Sequence, residues 1–227
     1  VALDVNNGAV LAMVSTPAFD PNQFARGIKA EEWGALMKDQ LRPLSNRATQ
    51  GQYPPGSTFK IVMAIAGLEE GVLQPDAHIF DPGSYFFGNR SFRDWKKEGH
   101  GSVDLHRAIV ESCDVYFYQL GLKIGLSKFI AGGISLTMRD KSGIDLPEET
   151  QARWPYAIDY YNKKYGPRGW SNAETLNLAI VQGANSQTVV NMARFYTALA
   201  TDGGASICTT RSIAPMSMPS SSDEVAT

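Results

Sequence analysis

Neither sign of charge is in surplus. The 21 lysines and arginines are met by 23 aspartates and glutamates, for a formal net charge of −2. That balance leaves no electrostatic footprint for nucleic acid and no basic run to lie on a membrane surface. Long apolar runs are also missing: none approaches the ~18 residues of a spanning helix, and no signal peptide is visible. Cysteine is scarce, with only Cys113 and Cys208. Two cysteines exclude a disulfide framework and allow at most one bridge. No internal repeat is present. What remains is ordinary globular composition, 227 residues of which 43% are hydrophobic, enough for one sizeable domain with a buried core. The chain opens with Val1-Ala2-Leu3-Asp4 inside what reads as a strand, so it is expected to be a segment excised from a longer protein.

The most informative stretch is Ser57-Thr58-Phe59-Lys60, set behind Tyr53-Pro54-Pro55-Gly56 at the head of an apolar helix. This spacing puts a hydroxyl and an amine one helical turn apart on one face. Serine at its free pKa is a weak nucleophile and needs an adjacent base. Partial desolvation and the positive end of a helix both favour a lysine's neutral, proton-accepting form. The pair is a minimal unit for acyl transfer. As a bare pattern it also arises by chance, most often as an exposed surface pair.

Periodicity and turn residues organise the rest. Val1 to Val14 reads as a hairpin around Asn6-Asn7-Gly8, and Ala30 to Lys38 as a short amphipathic helix. Ser57 to Glu70 reads as a helix stopped by Gly71 and apolar on most sides, hence buried nearly all round. Residues 75–101 are turn-rich and aromatic, suggesting an irregular subdomain. Further helices are predicted over Val103–Ser112, Val115–Ile124, Thr175–Gln182 and Thr188–Thr201. An aromatic loop covering the core is expected over Trp154–Trp170. The Ser/Thr/Pro/Met-rich tail from residue 206 lacks periodicity and reads as poorly ordered. His78 and His106 have no partner pattern and read as structural.

A second motif, Ser112-Cys113-Asp114, lies 55 residues after Ser57. Such a triplet can feed a hydroxyl and an oxygen acceptor into the Ser57/Lys60 centre, although alone it is more often a cap or turn. With Pro-Gly-Ser-Thr-Phe-Lys before it and Val115-Tyr116-Phe117-Tyr118 after it, the sequence resembles the transpeptidase domain of class B penicillin-binding proteins, most closely the elongation-type penicillin-binding protein 2 group. The resemblance runs in order through Val1–Phe24, Gly51–Glu70, Phe80–Gly83, Asp94–Gly101, Val103–Gly121, Ser142–Glu149 and Leu178–Gly204. It implies an α/β (α+β) fold related to the serine β-lactamases, with a central antiparallel sheet begun by Val1–Val14, helices on both faces, and a transpeptidase domain over residues 1–205. It also implies that Ser57 is acylated, Lys60 is its base, Ser112 relays a proton, and Asp114 contacts substrate or Lys60. Gln182 and Gly183 match a Gln-Gly element near the family's substrate cleft, the bland alternative being a helix C-cap glycine.

The family's third motif, Lys-Ser/Thr-Gly, has one textual match, Lys141-Ser142-Gly143. It sits before Ile144-Asp145-Leu146-Pro147-Glu148 and resembles a connector instead, so it is expected to be a decoy. The active-site strand should follow Asp202-Gly203-Gly204 by several dozen residues, and only about two dozen follow here. That strand normally supplies an oxyanion-hole donor, a contribution worth ~100–1,000-fold in turnover.

Asp81, Asp94, His100 and Cys113 form a separate constellation. Carboxylate, imidazole and thiolate are all zinc ligands, and their contexts, Phe80-Asp81-Pro82-Gly83, Arg93-Asp94-Trp95 and Gly99-His100-Gly101, resemble a zinc-bearing subset of the same group. Four protein ligands imply a structural zinc tying the 75–101 region to the active-site wall. The alternative leaves His100 capping a turn, Cys113 a small buried hydrophobe, and the aspartates facing water.

The resemblance implies that the substrates are peptidoglycan stem peptides, cross-linked during cell elongation, and that β-lactam antibiotics acylate the same serine. It also implies elongation membrane proteins as partners and a site at the periplasmic face of the cytoplasmic membrane, the anchor lying outside these residues. Two rivals stay open: a β-lactamase-like serine hydrolase, and a non-catalytic scaffold.

Overall fold

The chain enters through a short antiparallel pair, β1 (Ala2–Leu3) against β2 (Val10–Ala12). Asp4 closes the intervening turn, its carboxylate accepting from the Asn6 N–H and the Asn7 side-chain amide. This computed structural model describes residues 1–180 and 183–201. Two outlying helices follow, α1 (Asn22–Ala25) and α2 (Ala30–Lys38), neither of which buries a residue.

The core begins where the Pro-Pro-Gly approach ends. Gly56–Phe59 forms a single 3₁₀ turn that runs into α3 (Lys60–Glu69). Sequence periodicity predicts one continuous helix from Ser57. The structure tightens its first turn instead, a common way for a helix start to satisfy its unpaired N–H groups.

Residues 75–101, expected to form an irregular subdomain, include short strands joined by turns. β3 (Ile79–Asp81) pairs antiparallel with β6 (Gly101–Val103), and the hairpin of β4 (Ser84–Phe87) and β5 (Arg90–Arg93) is nested between them. Strands of three or four residues are too short to show alternation, which is why the sequence hid them. The helix predicted over Val103–Ser112 is likewise shorter. Val103 belongs to β6, Asp104 caps the next turn by accepting from the Arg107 N–H at 2.8 Å, and α4 covers only Leu105–Val110.

Next come α5 (Asp114–Ile124) and α6 (Leu126–Ser135), the latter not predicted, because Gly132 and Gly133 weaken its helical pattern. The aromatic Trp154–Trp170 stretch holds α7 (Asp159–Tyr165). It is followed by α8 (Ala173–Ala179) and α9 (Val189–Leu199). The helix expected over Thr175–Gln182 thus starts and stops earlier, and Gln182 lies outside the described residues, as do residues 202–227.

The core is helical. Phe59 and Met63 are buried with Phe117 and Leu120 of α5, Phe129 of α6, and Leu176 of α8. Each such side chain contributes about 1.5–3 kcal/mol by leaving water. Gly121 lets α5 approach both neighbours, since a Cβ there would already touch Ala179 and the Met63 methyl. Trp154 packs tilted against Phe59 at 5.1 Å between centroids while its Nε1 donates to Ile130 O. Among the described residues β1–β2 stands as an isolated pair beside α9, so the expected central sheet is represented by that pair alone.

Candidate active site and metal cluster

The serine turn is held from two sides. Tyr53 exchanges two backbone hydrogen bonds with Gln187 (2.9 and 2.8 Å), fixing the chain just before the Pro-Pro-Gly segment. On the other side the Tyr196 hydroxyl of α9 donates to Thr58 O at 2.8 Å. Sequence reasoning missed both anchors, because their partners lie more than 130 residues away.

Within this frame Ser57 is exposed and Lys60 is buried at 3% exposure, so the nucleophile faces out and the amine faces in. Ser112 stands between them, its Oγ 2.8 Å from Ser57 Oγ and 3.0 Å from Lys60 Nζ. Lys60 Nζ also donates to Ser112 O at 2.7 Å and to Asp114 Oδ1 at 2.6 Å. These three acceptors match the three N–H bonds of an ammonium. The structure therefore brings Ser57, Lys60, Ser112 and Asp114 together and refines their predicted geometry. Lys60 reaches Ser57 through the Ser112 hydroxyl, and Asp114 is the lysine's counter-charge.

Ser112 adopts φ 55°, the left-handed region that non-glycine residues rarely occupy. This turn between α4 and α5 points both Ser112 oxygens at Lys60. Holding it costs about 1–3 kcal/mol, which the surrounding contacts must offset.

A cavity of about 380 Å³ opens beside Asp114, lined in part by Arg93, Asp94, Trp95, Tyr118 and Asn177. Gly183 is not among the residues lining this cavity. It lines a different cavity with Gln52, Arg153 and Tyr156, whose walls include none of the four residues around Ser57. Lys141-Ser142-Gly143 is a loop closed by the Ser142 N–H on Glu149 Oε1 at 2.6 Å. Among the described residues, none of its hydrogen bonds reaches the serine centre.

The second constellation also converges. Asp81, Asp94, His100 and Cys113 are all buried, and one donor atom from each lies within 4.8 Å of the others. His100 Nδ1 is 2.7 Å from Asp81 Oδ2 and 3.6 Å from Asp94 Oδ1, and Cys113 Sγ is 3.4 Å from Asp81 Oδ2. Burial pushes the Asp81 carboxyl up, but hydrogen bonds from the His100 ring, the Gly83 and His100 N–H groups and Cys113 outweigh it and hold it below the usual carboxylate range. Burial first, and then the Asp81 and Asp94 carboxylates, push the Cys113 thiol well above its ordinary value. Positive φ at Gly83 and Gly99 lets two backbone segments close beneath the cluster. A Cβ at Gly83 would overlap Lys97 O, and one at Gly99 would overlap Asp81 O.

The two centres share a wall. Asp94 Oδ2 accepts from the Asp114 and Val115 N–H groups at 2.7 and 3.2 Å, while Cys113, the N-cap of α5, accepts from the Tyr116 N–H at 3.4 Å. Glu111, which the sequence analysis did not single out, lies beside both centres. Its Oε1 accepts from Arg107 Nε at 2.6 Å, and that hydrogen bond keeps its carboxyl below the usual range. The Arg107/Glu111 spacing of four residues was the available signal.

A serine joined to a buried lysine through one hydroxyl, at the head of a core helix, is the arrangement of an active-serine acyl-transfer domain. Residues 1–206 match the penicillin binding protein transpeptidase domain, and the chain belongs to that family. Within it, the chain is similar to the peptidoglycan D,D-transpeptidase MrdA of Haemophilus influenzae, with 42% identity over 210 residues covering 89% of this chain and 31% of that protein. Similarity to MrdA of Escherichia coli K12 is 37% over 205 residues, covering 89% and 32%. Among solved structures, Pseudomonas aeruginosa PBP2 in complex with WCK 5153 superimposes with a TM-score of 0.82 at 38% identity, over 87% of this chain and 43% of that one. Helicobacter pylori PBP2 in its complex with MreC gives a TM-score of 0.83 at 34% identity, over 88% and 37%. The chain thus spans about a third of the length of the curated relatives it matches.

Proposed function

We propose that this chain carries the acylation centre of a peptidoglycan D,D-transpeptidase. Ser57 Oγ attacks the carbonyl of the D-Ala-D-Ala bond in a stem peptide. Once Lys60 has given up one ammonium proton to solvent, the Ser57 proton passes to Ser112 Oγ as the Ser112 proton passes to Lys60 Nζ, and the C–N bond breaks as the leaving D-alanine takes a proton back along the same path. An amine of a neighbouring stem then attacks the ester carbonyl, forms the cross-link and releases Ser57. The observation that carries this reading is the continuous 2.8 and 3.0 Å path from Ser57 through Ser112 to Lys60. β-Lactams acylate the same serine as substrate mimics. The relative complexed with MreC supports elongation proteins as partners. The site of action is the periplasmic face of the cytoplasmic membrane. No helix among the described residues is long and apolar enough to cross a membrane.

Acyl-enzyme lifetime with labelled penicillin tests the proposal. A label that persists for hours supports transpeptidation. Loss within seconds would indicate a hydrolase that admits water, and absence of any label would indicate a scaffold.

Zinc at the second constellation is part of the proposal. The fit lies in the donor chemistry: two buried carboxylates, an imidazole nitrogen and a thiol converge with too little positive charge to balance them. Buried charges of one sign are costly unless compensated. Asp81, Asp94, His100 and Cys113 would hold the ion, which supplies that compensation and cross-ties β3, β6 and the start of α5. Four protein ligands leave no position for substrate, so the role is structural.

A further inference from the structure

His100 has one nitrogen in the donor cluster and one out of it. Nδ1 faces Asp81 and Asp94, whereas Nε2 is buried and has no hydrogen-bond partner among the described residues. The group facing Nε2 is the Glu111 carboxylate, with Oε2 at 3.8 Å, roughly 0.8 Å longer than a normal N–H···O bond. The other Glu111 oxygen is fixed by Arg107, whose Nη1 in turn donates to Ser102 O at 3.1 Å in β6. Trp95 completes the bracket: its ring sits edge-on to the imidazole at 5.5 Å, and its Nε1 donates to Glu111 O at 3.1 Å.

We infer that Glu111 is the positioning residue for His100, accepting the ring proton at Nε2 and so presenting a bare Nδ1 to the metal. An imidazole binds metal through an unprotonated nitrogen, and the hydrogen bond at its other nitrogen decides which one that is. The 3.8 Å gap is short enough to close by a small movement of the Glu111 side chain, which is 32% exposed. Arg107, Glu111 and His100 then form one chain that ends at the metal and lies against Ser112. This inference rests on the zinc reading.

The test compares wild type with Glu111→Ala and Glu111→Gln, using zinc affinity by competition with a chelating dye and the His100 tautomer by nitrogen-15 NMR of the zinc-loaded protein. Losing such an outer partner typically weakens metal binding 10–100-fold. Glu111→Ala should fall in that range and Glu111→Gln, which keeps an acceptor, between it and wild type. Wild type should carry its ring proton on Nε2. Equal melting of the zinc-free forms excludes a folding defect. Unchanged affinity in both variants, or zinc on Nε2 with the proton on Nδ1, overturns the role of Glu111 while leaving the zinc site intact. A wild type that takes up no zinc overturns both.

Discussion

Asp94 accepts the backbone N–H of Asp114 at 2.7 Å, and this hydrogen bond joins the Asp81/Asp94/His100/Cys113 cluster to the Ser57–Lys60 centre. One Asp94 oxygen faces His100 and the other caps the first turn of α5, whose first residue, Asp114, pairs with Lys60. A carboxylate at a helix N-terminus satisfies N–H groups that otherwise lack partners and complements the helix dipole. The position of the lysine's counter-ion thus depends on a residue that belongs equally to the second centre.

Ser112→Ala removes the hydroxyl between Ser57 and Lys60 and leaves the Lys60 contact to the backbone carbonyl at position 112. A general acid–base contribution is worth about 100- to 10,000-fold. The acylation rate with a fluorescent penicillin should drop by that order, with the melting temperature changed little.

Asp114 offers a graded test of the counter-charge. Asp114→Asn retains an oxygen acceptor for Lys60, whereas Asp114→Ala leaves a buried ammonium without its counter-charge, at a cost of about 3–5 kcal/mol. Urea unfolding should rank wild type, then Asn, then Ala, and acylation rates should follow the same order.

Elemental analysis of purified protein should give close to one zinc per chain, and Cys113→Ser should lose it. A bound ion stabilises the state that holds it. A strong chelator should therefore lower the melting temperature of wild type and leave that of Cys113→Ser unmoved.

Gly83→Ala forces a Cβ onto Lys97 O at a backbone φ of +92°. Overpacking of this kind costs about 1–3 kcal/mol. Zinc content should fall with stability, while Gly88→Ala, at a glycine with open space around it, should retain the metal.

The long apolar helices and the serine motif were legible because both are local. The α3 and α5 patterns and the Ser57/Lys60 spacing are carried by neighbouring residues, and the resemblance supplied the order of the remaining parts. What escaped depends on distant partners or on elements too short for periodicity. β3 to β6 have three or four residues each, α6 hides behind Gly132 and Gly133, and the Tyr196 hydroxyl meets Thr58 from 138 residues away. The lysine's route to the nucleophile was also not readable. Sequence spacing suggests direct contact, whereas the left-handed turn at Ser112 places a hydroxyl between them.

The most direct measurement is peptide-level mass spectrometry after incubation with penicillin. The relay predicts a single covalent adduct on the peptide containing Ser57, abolished in Ser57→Ala and formed far more slowly in Ser112→Ala. An adduct on another residue, or one that forms at the wild-type rate without the Ser112 hydroxyl, would contradict it.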